Sequence, residues 1–184
     1  MDIENFYEKI LKLRNGEIKD YKVLSSHVKS IPDDMFDYII QRLIIQLKIV
    51  QKYNISVRPA IDPFVSSELG IYKRLDDLEL GKLLDYPNCC VDSFSETARY
   101  GIDSKHLKEV ENMTFEDEDY AIILPSGFIP CSLKCNKAIE NKLIGTIDKE
   151  TYEKLLSLEE ELFKKLPHYH GAYDEYFEKI ILKK

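Results

Sequence analysis

The chain has 184 residues, of which 44% are hydrophobic and 32% charged, and its formal net charge is −7. This length and composition are typical of one folded globular domain and exclude a disordered chain. The negative charge argues against generic nucleic-acid binding, which depends on clustered lysines and arginines that neutralise phosphates.

Apolar residues recur at helical spacing through the first third of the chain. The pattern over 3–11, followed by Asn15-Gly16, predicts a first helix that ends near the glycine. A second helical segment is predicted over 17–29. The segment Ser30-Ile31-Pro32-Asp33 then predicts the start of a central helix, with a cap residue and an early proline. The predicted core face of that helix consists of Phe36, Ile39, Ile40, Leu43, Ile44, Leu47 and Val50.

Extended and helical segments alternate in the middle of the chain. Residues 54–63 contain β-branched residues and two prolines, which favours an edge strand or loop. Asp76-Asp77-Leu78-Glu79 resembles a capping box that opens a short helix through Leu84. The other elements predicted here are helices over 87–100 and 104–113 and a buried strand over 120–124.

Three more helices are predicted in the last third of the chain, over 132–144, 148–166 and 173–182. The helix over 148–166 is expected to turn Tyr152, Leu155, Leu156, Leu162 and Phe163 inward. The predicted fold class is therefore mainly α, a single compact helical domain over 1–184 with a small β element near the cysteines. A division into a helical sub-lobe, 1–75, and a cysteine-containing sub-lobe, 76–184, stays open.

The cysteines lie in two tight clusters, each beside a proline. The clusters read Pro87-Asn88-Cys89-Cys90 and Pro130-Cys131-Ser132-Leu133-Lys134-Cys135. Both are predicted at helix starts, where unpaired N–H groups and the helix dipole favour thiolate over thiol. Because thiolates bind metals, the sequence predicts a metal or cofactor site. Its predicted ligands are Cys89, Cys90, Cys131 and Cys135.

The spacing of the cysteines leaves the cofactor open. Adjacent Cys89 and Cys90 point in different directions along a helix, which suits the several metal corners of an iron–sulfur cluster better than one small ion. Structural zinc sites usually have a short spacer inside each cysteine pair, and the first pair here has none. An iron–sulfur cluster is the preferred prediction and zinc the alternative. A redox dithiol, disulfides without a metal, and packing as buried small hydrophobes also stay open.

Histidines offer weaker candidate ligands. His168 and His170 could complete a metal site, although a solvated turn between helices is the favoured interpretation. His27 and His106 lie on predicted helices and are expected at the surface. The acidic run over 116–119 lacks the spacing of a calcium loop and is expected to be a solvated loop.

Cysteine usage and the apolar pattern together predict the cellular location. Four cysteines are too few for a disulfide-stapled secreted scaffold, and in a reducing cytosol such a set is more often metal-binding or catalytic. The acidic segment 1–5 is unlike a secretory signal, and the apolar stretch 38–50 is too short to span a bilayer. We therefore expect a cytoplasmic protein with no membrane association.

The two cysteine segments resemble the paired motif of an archaeal family catalogued as domain of unknown function 483. Segments 85–94 and 128–138 contain its YPxCC and PCSxxC elements intact. Phe128 stands where similar proteins often carry a polar residue or histidine, so no extra ligand is carried over to that position. The resemblance implies an archaeal intracellular protein and supplies no activity.

Two functions follow from these expectations. The preferred one is electron transfer or sulfur and redox chemistry at an iron–sulfur centre. The alternative is a zinc- or disulfide-stabilised helical interaction module without catalysis, with an unidentified protein partner. Both functions require that the two cysteine segments, distant in sequence, fold back into one pocket. Whether the protein is an enzyme stays open.

Overall fold

Helices form most of the chain in the computed structural model, which describes residues 3–61, 76–97, 101–166 and 176–182. The described elements are α1 Ile3–Asn15, α2 Lys22–Ser30, α3 Asp33–Tyr53, α4 Asp77–Leu83, α5 Asn88–Thr97, α6 Ser104–Glu111, β1 Ala121–Pro125, α7 Asn136–Glu140, β2 Gly145–Ile147, α8 Lys149–Lys165 and β3 Phe177–Ile181. The predicted fold class, mainly α with a small β element, is confirmed. Within the described ranges, no helix is long and apolar enough to cross a membrane.

The first three helices build one core together with α4. Gly16, with a φ of 73°, ends α1 as the sequence predicts. The buried side chains of this core include Phe6, Ile10, Leu13, Leu24, Val28, Phe36, Ile39 and Leu43.

The core face of α3 differs in part from the predicted one. Phe36, Ile39 and Leu43 are buried as expected, but the buried stripe continues through Gln46 and Ile49, and Ile44 is exposed. The amide nitrogen of the buried Gln46 donates to the Ala60 carbonyl oxygen over 2.6 Å, which compensates for its burial. Apolar residues cover so much of this helix that periodicity alone could not identify its innermost stripe.

Only one of the two hydrogen bonds of the predicted capping box forms at the start of α4. The Asp76 carboxylate accepts a hydrogen bond from the Glu79 backbone N–H, as in a capping box. The Glu79 carboxylate instead accepts from the backbone N–H groups of Lys22 and Leu24, over 2.8 and 2.9 Å. Glu79 therefore caps the start of α2 and joins that helix to α4.

Gly81 allows α4 to approach α5 closely. A Cβ atom at this position would overlap the Val91 side chain on α5. A glycine inside a helix normally lowers the stability of that helix. At Gly81 the close packing of the two helices compensates for this cost.

Gly81→Ala is expected to lower the free energy of unfolding by about 2 kcal/mol, the usual scale of overpacking, despite the better helix propensity of alanine. Denaturant unfolding measures this difference. Gly101→Ala is the matched control, because a Cβ there meets no atom within 4 Å. Equal stability of the two variants would contradict close packing at Gly81.

The small sheet has the strand order β2-β1-β3, and both pairings are antiparallel. Strand β1 is buried over its whole length. Because side chains alternate along a strand, β1 serves two cores. Ala121 and Ile123 pack with α8, while Ile122 and Leu124 pack in the core that contains Cys90.

Three sequence predictions in the last third of the chain are corrected by the structure. Residues 177–181 form strand β3 instead of a helix, and residues 173–175 lie outside the described ranges. Hydrogen bonding to the edge of β1 accounts for the strand, and short apolar runs fit either type of element. On α8 the inward stripe is Leu155, Leu158 and Leu162, whereas Leu156 and Phe163 are exposed.

The third correction concerns the helix predicted over 132–144. Only Asn136–Glu140 is helical, between a loop that ends at Cys135 and the strand β2. Lys142 has a φ of 56°, a left-handed conformation that interrupts a helix. The loop before α7 carries two of the four cysteines.

Candidate metal centre

The four cysteine sulfurs meet at one place in the fold. All four Sγ atoms lie within 4.8 Å of one another. The Cys89–Cys135 sulfur distance is 3.7 Å, and the distances from Cys90 to Cys131 and to Cys135 are both 3.8 Å. These distances are far above the S–S bond length of about 2.05 Å, and all four cysteines are free. The expected shared pocket is therefore present, and the four side chains are close enough together to hold a metal ion.

The first cysteine pair lies in the first turn of α5, as predicted. The Pro87 carbonyl accepts hydrogen bonds from the N–H groups of Cys90 and Val91, which begins the helix directly after the proline. Consecutive helical residues point in different directions, so Cys89 lies at the solvent side while Cys90 is buried. Both sulfurs still reach Cys135, at 3.7 Å from Cys89 and 3.8 Å from Cys90.

The second pair lies on a loop, which corrects the prediction that Cys131 begins a helix. The loop follows a turn with Gly127 at a φ of 78°, and Cys135 is the N-cap residue of α7. The Cys135 N–H donates to the Ser132 carbonyl over 3.1 Å, which brings the two sulfurs of this segment together. The Cys131 N–H points at the Cys90 sulfur over 3.5 Å.

Helix α6 holds this loop by three hydrogen bonds that the sequence did not predict. His106 Nε2 lies 2.8 Å from the Pro130 carbonyl oxygen, and Lys105 donates to the Cys131 carbonyl over 3.0 Å. The Glu109 carboxylate accepts from the Leu133 N–H over 2.8 Å. The loop that carries Cys131 is therefore fixed on both sides of the sulfur.

His106 is fully buried, so its predicted position at the surface is wrong. A carbonyl oxygen only accepts, so Nε2 carries the proton in the contact with Pro130. The other ring nitrogen, Nδ1, accepts a hydrogen bond from the Asp103 backbone N–H over 3.3 Å and lies 2.8 Å from the Asp103 carboxylate, which caps α6. The hydrogen bond that its carboxylate accepts from the His106 N–H, together with the nearby imidazole and the Lys105 N–H, lowers the pKa of Asp103. Helical spacing could have identified the position of His106, because it lies one turn before Val110 on α6, which packs against the cysteine core.

Apolar side chains enclose the inner side of the cysteine cluster. Cys90 packs in a core with Phe128 and Leu133, and Cys131 and Cys135 lie at its border. The Phe128 ring contacts the Tyr86 ring with centroids 4.8 Å apart. Phe128 therefore acts as part of the wall, in agreement with the absence of a ligand side chain at this position.

Burial and mutual contact shift the thiol pKa values in different directions. Burial raises the pKa of Cys90 and raises the pKa of Cys131 to about 11. Burial also acts to raise the pKa of Cys135, but hydrogen bonds from neighbouring groups, the Cys89 thiol among them, lower it overall. Because a metal binds thiolates, a metal ion that bound here would displace protons from these thiols.

Other candidate residues do not join the cluster among the described residues. His168 and His170, the weaker metal candidates, lie outside the described ranges. His27 is half-buried on α2, where burial lowers its pKa. Glu116, Asp117 and Glu118 are exposed, as expected of a solvated loop.

Comparison with known proteins gives relatives without an assigned activity. The sequence profile of a family described as "Protein of unknown function (DUF483)" matches residues 43–163. An uncharacterized protein of Methanocaldococcus jannaschii is 55% identical over 183 residues, 98% of this chain and 99% of the relative. An uncharacterized protein of Methanothermobacter thermautotrophicus is 47% identical over 181 residues, 98% of each chain. No solved structure matches.

Proposed function

Since the chain belongs to the DUF483 family, whose archaeal relatives supply no activity, we propose a function from the cysteine geometry: the four thiolates bind one zinc ion that holds the fold together. The start of α5 and the loop before α7 supply two ligands each. The protein is then a cytoplasmic helical module whose metal has a structural role.

The observation that carries this proposal is the spacing of the sulfurs. A zinc–sulfur bond of about 2.3 Å in a tetrahedral site places two sulfurs about 3.8 Å apart. Three sulfur pairs are 3.7, 3.8 and 3.8 Å apart, and all pairs lie within 4.8 Å. Three pairs therefore already have the spacing of ligands around one ion, and the widest pair would have to close by no more than about 1 Å.

The same spacing favours zinc over the iron–sulfur cluster that the sequence made the preferred prediction. A cluster divides its thiolates among two or more iron atoms, so sulfurs bound to different irons lie farther apart than sulfurs around one ion. The sequence argument against a single ion was that Cys89 and Cys90 point in different directions. Both of these sulfurs lie within 3.8 Å of the Cys135 sulfur, so the two directions still converge on one place.

A closed set of four ligands supports a structural role. Catalytic zinc sites keep one position open for water or substrate, whereas structural sites are filled by four protein ligands. Zinc is not redox-active, and here it would join the start of α5 to the loop before α7. These segments otherwise meet through side-chain packing and the contact of the Cys131 N–H with the Cys90 sulfur.

A second candidate is electron transfer by iron, either as one ion or as a cluster. The exposure of Cys89 favours it, because a solvent-side ligand gives a short path to a redox partner. Tetrahedral sulfur sites bind iron as well as zinc.

The experiment that separates the candidates is anaerobic purification followed by metal and acid-labile sulfide analysis and X-ray absorption. We expect one zinc per chain, a colourless protein and four sulfurs at about 2.3 Å from the metal. Replacement of zinc by cobalt is expected to give the visible bands of a tetrahedral tetrathiolate. Iron with sulfide in equal amounts would instead establish a cluster, and iron without sulfide would establish a single redox-active ion.

A further inference from the structure

The four cysteines of the metal centre differ in how open they are to solvent. Cys89 is exposed, Cys131 and Cys135 are partly buried, and Cys90 is buried. Cys89 lies in the first turn of α5 and belongs to none of the three apolar cores of the described residues. Oxidation of a thiol depends on its thiolate character and its exposure. The Cys89 sulfur is therefore the first that a dissolved oxidant meets.

Cys135 provides a second sulfur beside the exposed one. The two Sγ atoms are 3.7 Å apart, so a disulfide of about 2.05 Å requires them to approach by about 1.7 Å. Cys135 is the N-cap residue of α7 at the end of a loop, and it only borders the cysteine core. Both side chains can therefore turn toward each other without displacing a buried residue.

The sulfur of Cys90 has neighbours at a similar distance but is less able to react. It lies 3.8 Å from the sulfurs of Cys131 and Cys135. Its side chain, however, is packed in the core with Phe128 and Leu133, and its sulfur faces the Cys131 N–H. Formation of a disulfide there would move a close-packed side chain, which the interior resists. Access and freedom to move thus coincide in the pair Cys89 and Cys135.

We propose that a hydroperoxide oxidises Cys89 and Cys135 to a disulfide and that this bond empties the metal centre. The inference rests on the proposed function, because the ion released is the zinc that the four thiolates hold. Oxidation removes two of the four ligands and leaves only Cys90 and Cys131. A structural zinc site takes four protein ligands, so the remaining two do not retain the ion. The oxidation state of one cysteine pair then regulates the metal content of the protein.

The reaction consumes one hydroperoxide and two protons for each disulfide. The Cys89 thiolate attacks one peroxide oxygen, the O–O bond breaks, and the departing oxygen takes a proton from solvent. Cys89 then carries a sulfenic acid, which condenses with a thiol. The Cys135 thiolate attacks the Cys89 sulfur, the S–O bond breaks, and hydroxide leaves as water with the second proton. The sulfurs lose two electrons and the peroxide gains them. A dithiol reductant reverses the change by thiol–disulfide exchange.

The disulfide takes over the link that the metal provided. Both join the start of α5 to the loop before α7, across a sequence separation of 46 residues. A disulfide that closes a long loop stabilises the fold mainly by restricting the unfolded chain. We therefore expect the oxidised protein to stay folded without zinc and to bind zinc again after reduction.

The test starts from the purified full chain, whose zinc content is measured first. Hydrogen peroxide is added without reductant, and a chromogenic chelator follows the release of zinc. Tandem mass spectrometry, with fragmentation between Cys89 and Cys90, maps the disulfides. We expect the zinc to leave together with the formation of one disulfide, between Cys89 and Cys135. The oxidised chain is expected to unfold at a higher temperature than the reduced, zinc-free chain.

Two variants separate the role of the exposed sulfur from zinc binding itself. Cys89→His keeps a set of four ligands, since zinc sites with three cysteines and one histidine are common. It is expected to retain most of its zinc at a peroxide dose that empties the wild type. Asn88→Ala is the matched control, because it changes the exposed residue before Cys89 and keeps all four sulfurs. It is expected to release zinc as fast as the wild type.

The outcomes distinguish this inference from the proposed function. A disulfide between Cys90 and Cys131, zinc release without a disulfide, or release from Cys89→His as fast as from the wild type would overturn the inference and leave zinc binding intact. Absence of zinc before oxidation would contradict the proposed function and, with it, regulation of the metal content. Mapping of the oxidised metal-free chain then still decides whether Cys89 pairs with Cys135.

Discussion

Replacing Cys131 with alanine is expected to release the bound metal and to lower the free energy of unfolding by about 4 kcal/mol. This is the stabilisation from a ligand that binds only the folded chain and is present at about 1,000 times its Kd. The substitution leaves three thiolates, and the loop over 131–135 loses its link to α5. Metal content per chain and denaturant unfolding under identical conditions measure the two effects.

Removal of the metal from the wild type gives the control for this variant. If the effect acts through the metal, metal-free wild type and metal-free Cys131→Ala should unfold at nearly the same denaturant concentration, because Cys131 is only partly buried. Lys137→Ala, an exposed change two residues after Cys135, should keep the metal. Unchanged metal content and unchanged unfolding of Cys131→Ala would show that the sulfurs do not act as ligands.

Replacing His106 with leucine is expected to weaken metal binding by about 10- to 100-fold, the usual effect of losing a residue that positions the ligands. The buried Pro130 carbonyl would lose its partner, which should also cost about 1–3 kcal/mol of stability. The side chain of leucine fills a similar volume, so the change removes hydrogen bonds with little change in packing. Competition with a chelator measures the affinity, and denaturant unfolding of the metal-free protein measures the stability.

Lys105→Ala is the matched control for His106→Leu. Lys105 is the neighbouring residue on α6 and donates to the next carbonyl, that of Cys131, but its bond is exposed. We expect its loss to change stability by no more than about 0.5 kcal/mol and to leave metal affinity unchanged. His106→Gln, whose amide can still donate, should recover part of the affinity. A folded His106→Leu variant with the metal affinity of the wild type would show that the loop needs no support from α6.

The elements with strong local signals were predicted correctly from the sequence. Helix α1 ends at Gly16, α8 begins at the cap residue Asp148, and α5 begins directly after Pro87, and each signal acts within a few residues of the chain. The meeting of the two cysteine segments was also expected, because paired clusters of thiols have a common chemical use. Local rules and ligand chemistry were sufficient for these features.

The features that were missed depend on contacts between distant segments. Strand β3 exists because β1 offers it a hydrogen-bonding edge, and nothing near Phe177 in the sequence indicates that edge. The loop before α7 is held by His106 and Glu109, which belong to another helix. The Glu79 carboxylate fits a local capping box, yet it caps α2, because the packing of α4 places it there. Sequence periodicity cannot supply information of this kind.

The sequence separation of the cysteines has a consequence for the kinetics of folding. The sulfurs in contact are 41 to 46 residues apart, so their cluster closes a long loop that contains α6 and β1. Closing such a loop costs entropy before any bond to the metal forms, and local helices form sooner. Contacts absent from the folding transition state mainly slow unfolding. The metal would therefore slow unfolding, and so lengthen the lifetime of the native state, far more than it would accelerate folding.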